Sequence, residues 1–267
     1  MLINTLVLFL RDILPLFLLV AMLMALSPRS SDRWYLTWLG KFALLGIILG
    51  SLMLKFVDVI SNQFDGAGLE ILVNCVNLMN YALVISLGWQ STRHLSPRYW
   101  NYLSGGLITL MLLQNGANFL IYFSGYWQQI DAPTVLLLGT LLGLGICMSL
   151  AVLLFFALLL SRQYFGPWMI MSLLVLFICG RIMDGLNLLV QVDLLPDTGS
   201  MWNSAKWIED NSGTGHLLNA LVGYEASPSL LQVLSYLCLG LLALVLFVSL
   251  KHKRLRSADQ QTLENFL

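Results

Sequence analysis

The feature that most constrains this sequence is a series of seven apolar runs, each long enough to cross a bilayer as one helix. They cover about residues 3–26, 36–57, 69–90, 103–124, 134–160, 168–190 and 229–250. A spanning helix needs roughly 20 predominantly apolar residues. The chain is 58% hydrophobic and 10% charged, whereas a soluble domain carries about 25% charge. The sequence therefore predicts an all-α, multi-pass membrane protein of seven transmembrane helices without a soluble domain.

We interpret the first run as a retained helix rather than as a signal peptide. No basic residue precedes it, it is longer than a usual signal-peptide core, and it contains Arg11 and Asp12.

Loop charges predict the orientation of the chain. Basic residues lie after the first, third and fifth runs and in the tail: Arg29, Arg33, Arg93, Arg98, Arg162, Lys251, Lys253, Arg254 and Arg256. The positive-inside rule then places the N-terminus outside and residues 251–267 in the cytoplasm. Residues 191–228, with five acidic residues against Lys206, fall outside. Orientation alone explains this acidic face, and a vestibule that concentrates cations is the alternative.

Cysteine and histidine positions exclude several classes of site. Cys75, Cys147, Cys179 and Cys238 lie inside apolar runs, and no C-x-x-C spacing predicts zinc or a disulfide framework. The histidines, His94, His216 and His252, lie in loops or the tail, where they cannot hold haem between helices. No nucleophile, base and orienting group share one membrane depth, so we expect neither an enzyme nor a tightly bound cofactor.

Two polar clusters at equivalent depths predict an internal repeat. "LFLRDILPLFLLV" from Leu8 aligns with "MLLQNGANFLIYF" from Met111, and Arg11, Asp12 and Pro15 then match Gln114, Asn115 and Asn118. Three helices separate the two starts, so the repeats have opposite orientations, as in many transporters. We expect one membrane domain: first repeat 1–102, second repeat 103–190, external interfacial segment 191–228, seventh helix 229–250 and tail 251–267. Within 199–228 we expect one or two interfacial helices, with a break at residues 213–215.

At these residues the chain resembles the oxidase-dependent iron permeases of bacteria and fungi. That family has an R-E-x-x-E motif in helix 1 and another in helix 4, where this chain reads R-D-I-L-P from Arg11 and Q-N-G-A-N from Gln114. "RWYLTWLG" from Arg33, "YWQQ" from Tyr126, "GTLLGL" from Gly139 and "GHLLNALVGYEASPSLLQV" from Gly215 also resemble family segments in order and spacing.

The resemblance implies iron uptake across a bacterial inner membrane, with iron as the transported ion. Its implied partners are membrane lipid and either a periplasmic oxidase or iron-binding protein or a second permease-like subunit; no nucleic acid is expected. The implied transport positions are Arg11, Asp12, Glu70, Gln114, Asn115 and Asn118.

The chain departs from the family at these motif positions. Ferric iron is a hard cation that prefers anionic oxygen ligands, and of four motif carboxylates only Asp12 remains, as a weak metal ligand. Pro15 has no ligating side chain, and Asn115 and Asn118 are uncharged. Glu70 is retained, while Val73 stands where the family often has a second acid.

The sixth run contains a charge pair that the family pattern does not include. Arg181 and Asp184 are three residues apart, on one helical face. With Arg11 and Asp12, whose side chains we expect to point in different directions, they predict an intramembrane network of four charges; the alternative is a pair that only locks helices together. Three functions stay open: iron uptake, a non-conducting subunit that serves as a scaffold or partner in a membrane complex, and transport of another solute.

Overall fold

The computed structural model describes the backbone of residues 2–27, 33–93, 97–127 and 133–264, and the side chains of 5–27, 35–90, 98–116, 119 and 137–249. The described chain is helical. Its α-helices are α1 (Leu2–Leu8), α2 (Leu14–Leu26), α3 (Arg33–Leu54), α4 (Val57–Ser61), α5 (Gly68–Arg93), α6 (Pro97–Trp127), α7 (Pro133–Phe165), α8 (Pro167–Gln191), α9 (Gly213–Val222) and α10 (Leu230–Glu264). A π segment, Phe9–Ile13, joins α1 to α2, and a short 3-10 turn occupies Phe64–Gly66.

Six stretches of the described residues are long and apolar enough to cross a membrane. They are Thr5–Leu26, Tyr35–Leu54, Gly68–Gln90, Leu137–Phe165, Pro167–Gln191 and Leu230–Ser249. Each coincides with one of the apolar runs in the sequence. The remaining run, 103–124, lies within α6, where most side chains after residue 116 are outside the described part.

The π segment in the first span has a local cause at Pro15. Proline has no N–H to donate to the carbonyl of residue 11, and its ring crowds the preceding turn. The chain widens there, and the Leu14 amide donates to Phe9 O, five residues back. Pro15 itself lies in the first turn of α2, where its missing donor costs least. Such wide turns often occur at functional sites.

α7 lies beside the first span and runs in the same direction. A Cβ at Gly143 would lie 2.7 Å from Phe9 Cγ, so the small residue lets the helices approach closely. Nearer the other end of α7, Arg162 Nη1 donates to Ala25 O at 2.7 Å. The rising numbers on both helices show the parallel course. The arginine also satisfies a carbonyl at the C-terminal end of α2.

α3 packs on α6 in a second parallel pair. The Thr109 hydroxyl donates to Phe42 O at 3.0 Å, and a Cβ at Gly46 would lie 2.8 Å from Leu112 Cβ. In each parallel pair, a glycine faces the helix that carries one of the two polar clusters. Gly143 of α7 faces Phe9 in the first span, and Gly46 of α3 faces Leu112 of α6.

α5 and α8 form an antiparallel pair held by asparagines. Asn74 Nδ2 donates to Gly185 O at 2.8 Å, and Asn77 Nδ2 donates to Arg181 O at 2.8 Å. A Cβ at Gly185 would lie 2.6 Å from Asn74 Oδ1, so the glycine leaves room for the asparagine side chain between the helices. Such interhelical bonds average about 0.6 kcal/mol in membranes, and here they fix the register of α8.

The buried core lies where the first span, α6 and α8 meet. It includes Leu14, Leu18, Met22, Leu107, Ile108, Ile170 and Phe177. The outward faces of α3, α7 and α10 expose large apolar side chains instead, among them Leu44, Leu141, Leu153 and Leu241. Exposed apolar faces on long helices are those expected to contact lipid.

The segment between α8 and α10 contains one helix among its described residues rather than two. α9 begins after Ser212, whose Oγ accepts from the Gly215 amide at 3.0 Å, and ends at Gly223, which has a φ of +70°. The glycines at 213 and 215 are therefore the first turn of α9 and not a break between two helices, because the Ser212 cap makes them a helix start. α10 continues through residue 264. The part of the predicted tail whose backbone the structure describes, residues 251–264, is therefore helical.

Candidate solute site in the helix bundle

A polar cavity of about 360 Å³ lies between the π segment, α5, α6, α8 and the α9 segment. Its acidic and arginine lining residues are Arg11, Asp12, Arg181, Asp184, Asp210 and Glu225. The other lining residues are Val73, Gln114, Asn115, Gly185, Asn187, Leu188, Gln191, Asn211, His216, Asn219 and Tyr224. Asp12, Gln114 and Asn115 are buried and form its floor, while Asp210 and Asn211 are exposed and form its mouth. The cavity therefore extends from the bundle interior to the segment 191–228.

Arg181 connects two helices across the floor. Its Nη2 donates to Asn115 Oδ1 at 2.6 Å, and its Nη1 donates to Asp184 Oδ2 at 3.1 Å within α8. The Arg181 side chain is 14% exposed and that of Asp184 is 36% exposed. The guanidinium is thus held between α6 and α8, and the carboxylate faces the cavity.

The second pair of charges differs from the sequence expectation. Arg11 Nε lies 3.8 Å from Asp12 Oδ1, so the two side chains do not diverge. The cause is the π segment, whose wider turn rotates successive side chains by less than an α-helix does. The Arg11 side chain is 65% exposed and that of Asp12 is 6% exposed, so this contact is weakly held on the arginine side.

All four predicted network charges line the one cavity. The ion pairs that the described residues form nevertheless join neighbours along the chain, Arg11 with Asp12 and Arg181 with Asp184. The contact that crosses between helices is the charge-to-amide bond from Arg181 to Asn115. Asn115 takes the place that an aspartate partner was expected to occupy.

Four buried polar atoms around the floor lack a hydrogen-bond partner within the described part of the chain. Two are acceptors, Asp12 Oδ2 and Gln114 Oε1, and two are donors, Asn115 Nδ2 and Arg181 Nε. The bond from Arg181 fixes the orientation of the Asn115 amide, because the oxygen must face the guanidinium. Leaving a buried polar group unpaired costs about 1–3 kcal/mol, so these atoms mark a place where a polar species is expected.

The carboxylates at the mouth, unlike the four floor atoms, have hydrogen-bond partners. Glu225 accepts from Asn187 Nδ2 at 3.1 Å and from Gln232 Nε2 at 2.6 Å. Asp210 Oδ1 accepts from the Ala226 amide at 2.8 Å. Both acids are bonded by neutral amide donors rather than by basic side chains, so the lining of the mouth is acidic.

α9 closes one side of the mouth by direct backbone packing on α8. A Cβ at Gly180 would lie 2.5 Å from Gly223 Cα. Asn219 Nδ2 lies 3.4 Å from Asp184 Oδ1 and 3.2 Å from Tyr224 O, linking α9 to the charge pair. The glycine contact brings these polar residues of the segment to the cavity.

The structure brings most, but not all, of the predicted transport positions together. Arg11, Asp12, Gln114 and Asn115 line the cavity, whereas Glu70 does not and Val73, one turn later on α5, does. The Asn118 side chain lies outside the described residues. Sequence reasoning missed Asn187, His216, Asn219 and Glu225. The acidic, polar character of residues 191–228 was the only sequence signal for the last three, whereas Asn187 lies in the apolar run of α8.

The arrangement does not resemble a metal centre. The described residues contain no group of three or more histidine, cysteine, aspartate or glutamate side chains that could hold a metal ion. The Arg181 guanidinium donates hydrogen bonds to Asp184 and to Asn115. It would repel a metal cation bound beside it. Among the predicted ligands, Asp12 alone supplies an anionic oxygen at the floor.

Comparison with protein-family models, with curated proteins and with solved structures finds no match. The apolar spans and the polar interior together define a multi-pass helical membrane protein.

Proposed function

We propose that the protein is a permease-type carrier whose central cavity binds a small polar solute on its path across the membrane. The observation that carries this proposal is the meeting of the two polar clusters at one cavity. Arg11 and Asp12 line it from the first span, and Gln114 and Asn115 line it from α6, 103 residues later at each position. Inverted-repeat transporters have their sites at such a meeting of repeats.

Helix pairing supports the inverted repeat and a count of seven spans. The first span packs in parallel on α7, and α3 packs in parallel on α6. A repeat of three helices relates the first span to the fourth, α6, and the second span, α3, to the fifth, α7. Under this relation the pair of the first span with α7 becomes the pair of α6 with α3. Because α3 is a candidate span and α6 runs beside it in the same direction, we count α6 as the fourth span. The loop charges then favour an outer N-terminus and a cytoplasmic tail.

The resemblance to oxidase-dependent iron permeases makes iron uptake across a bacterial inner membrane the first specific function to test. Asp12 Oδ2 and Gln114 Oε1 are oxygen atoms without partners among the described residues. The side-chain oxygens Asn115 Oδ1 and Asp184 Oδ2, however, already accept hydrogen bonds from Arg181. One free carboxylate oxygen is a poor site for a trivalent ion, so an iron role favours a partner that supplies further ligands, such as a periplasmic oxidase or iron-binding protein.

A non-conducting subunit is the second candidate, and the Arg181 contacts favour it. A guanidinium bonded to both α6 and an acid on α8 stabilises the bundle without any solute. In that function the permease fold serves as a scaffold for another membrane protein, such as a second permease-like subunit with intact motifs.

Uptake by proteoliposomes that contain the chain alone separates these functions. Radiolabelled iron and radiolabelled glycine are supplied to wild type, Gln114→Leu and Asn80→Leu. Asn80 is an equally buried amide whose nitrogen and oxygen lack partners within the described residues, and it does not line the cavity. Saturable uptake of either solute that falls in Gln114→Leu but not in Asn80→Leu supports a carrier. No uptake of either, together with co-purification of an intact permease, supports the scaffold.

Restoring acids distinguishes a lost iron site from an unrelated one. If the cavity descends from an iron site, glutamates at positions 15, 115 and 118 should create iron uptake that wild type lacks. Strong iron uptake by wild type that is lost in Asn115→Ala would instead assign iron to the amides.

A further inference from the structure

We infer that the cavity floor is a binding site for a small organic zwitterion, a solute with an ammonium and a carboxylate group, rather than for a metal ion or a simple anion. This inference rests on the proposed function, because it names the solute class of the same cavity. It follows from the chemistry of the four floor atoms that have no partner within the described chain.

The two acceptors need a donor from the solute. These acceptors are Asp12 Oδ2 and Gln114 Oε1, and their residues are 4% and 8% exposed. An ammonium group offers three N–H donors and a positive charge to this pair. Arg11 Nε lies 3.8 Å from the other oxygen of Asp12, so Oδ2 has no partner within the described chain.

The two donors need an acceptor from the same solute. Asn115 Nδ2 is fixed as a free donor by the Arg181 bond to its oxygen, and Arg181 Nε is a charged donor without a partner in the described chain. Hydrogen bonds from a charged donor are about twice as strong as neutral ones. A carboxylate is the small group that satisfies a guanidinium N–H and a neighbouring amide N–H together.

Neither a bare cation nor a simple anion satisfies both sets. A metal ion would bind Asp12 and Gln114 but leave Asn115 Nδ2 and Arg181 Nε buried without an acceptor. An anion would satisfy the donors and leave Asp12 Oδ2 and Gln114 Oε1 without a donor. The four charges that line the cavity from the first span and α8, namely Arg11, Asp12, Arg181 and Asp184, sum to zero, which matches a solute of zero net charge. At the mouth, the charges of Asp210 and Glu225 favour entry with the ammonium end leading.

The test is thermal unfolding of the purified full-length chain in detergent micelles with matched probes. Glycine, β-alanine and γ-aminobutyrate place the two charged groups at increasing separations, while propionate and ethylamine each carry one of them. At least one zwitterion should raise Tm saturably, by about 5 °C or more at 100 times its Kd. Propionate and ethylamine at the same concentration should leave Tm unchanged.

Variants locate the bound probe. Asp12→Asn and Gln114→Leu should each weaken its affinity at least about tenfold, since each removes a partner of the ammonium group. Asn80→Leu, a buried amide away from the cavity, should leave the affinity unchanged. Binding that survives Asp12→Asn and Gln114→Leu would overturn the inference.

The remaining outcomes separate this inference from the proposed function. A Tm rise with ferrous or ferric iron alone, lost in Asp12→Asn, would keep the cavity as a solute site and overturn the zwitterion. No shift with any zwitterion, half-probe or iron would mean that the cavity holds water only, and both proposals would fall.

Discussion

Arg181 of α8 donates a 2.6 Å hydrogen bond to Asn115 of α6. Through this bond, a charge that has no counterpart in the iron-permease pattern holds an amide at a position where that pattern has an acid. The same guanidinium binds Asp184 at 3.1 Å. Cation, amide and carboxylate therefore form one hydrogen-bonded unit in the cavity lining, which joins α6 to α8.

Removing the carboxylate should destabilise the protein. Asp184→Ala leaves the Arg181 guanidinium, 14% exposed, without its ion partner. Because Asp184 faces the cavity, the loss should lie between those of a buried and an exposed pair, about 2–3 kcal/mol. Denaturant unfolding in micelles measures it. Asp58→Ala, at an exposed position, is the control and should change the unfolding free energy by less than about 0.5 kcal/mol. If the two variants were equally stable, the pair of Arg181 with Asp184 would not contribute to the stability of the protein.

Position 115 should tolerate a negative charge because Arg181 is there. Asn115→Asp converts the existing contact into an ion pair and should leave the unfolding free energy unchanged or higher. Asn80→Asp buries a carboxylate at a position that is 1% exposed, where neither side-chain amide atom has a hydrogen-bond partner within the described residues. The second variant should be less stable than the first by at least about 2 kcal/mol. If Asn115→Asp were the more destabilising of the two, Arg181 would not be its partner.

The close contact between α8 and α9 should not accept a methyl group. Gly180→Ala would place a Cβ 2.5 Å from Gly223 Cα, which is backbone and cannot rotate away. Overpacking of this kind costs about 1–3 kcal/mol, so Tm should fall by several degrees. Gly145→Ala in α7 meets nothing within 4 Å and serves as the matched control. A Gly180→Ala protein as stable as Gly145→Ala would mean that α9 does not pack on α8 in this way.

Much of the fold follows from apolar length alone. The run 69–90 coincides with the span Gly68–Gln90, and 168–190 with Pro167–Gln191, because hydrophobic length is a local property. The π segment could not be predicted in the same way. Pro15 indicates that the helix is disturbed near this residue, but it does not indicate that the turn becomes a π turn. The Arg181–Asn115 bond joins residues 66 positions apart. No local pattern distinguishes it from the ion pair to Asp12 that the charges suggested, since the choice depends on how α6 and α8 are rotated.

The mouth of the cavity was harder to foresee. Asn187 and Glu225 meet because α9 folds back on α8 at Gly180 and Gly223. Both glycines are ordinary residues in the sequence, and only the tertiary packing gives them this use. The acidic composition of 191–228 signalled a polar surface, but not which of its residues reach the cavity.

The predicted topology places residues 191–228 outside and 251–267 in the cytoplasm. Lys206→Cys, at an exposed position, should react in intact cells with a thiol reagent that does not cross membranes. Ser257→Cys should react only after the cells are opened. Both are made with the four native cysteines changed to alanine. Labelling of Ser257→Cys in intact cells would reverse the orientation derived from the loop charges.

The most direct test of the central claim is whether water-soluble molecules reach the floor of the cavity. In the same cysteine-free background, Gln114→Cys should react with a small cationic thiol reagent added from the side of residues 191–228. Asn80→Cys, similarly buried but outside the cavity, should stay unreactive. A Gln114→Cys that reacts no faster than Asn80→Cys, while Lys206→Cys reacts readily, would contradict a solute-accessible site between the two polar clusters.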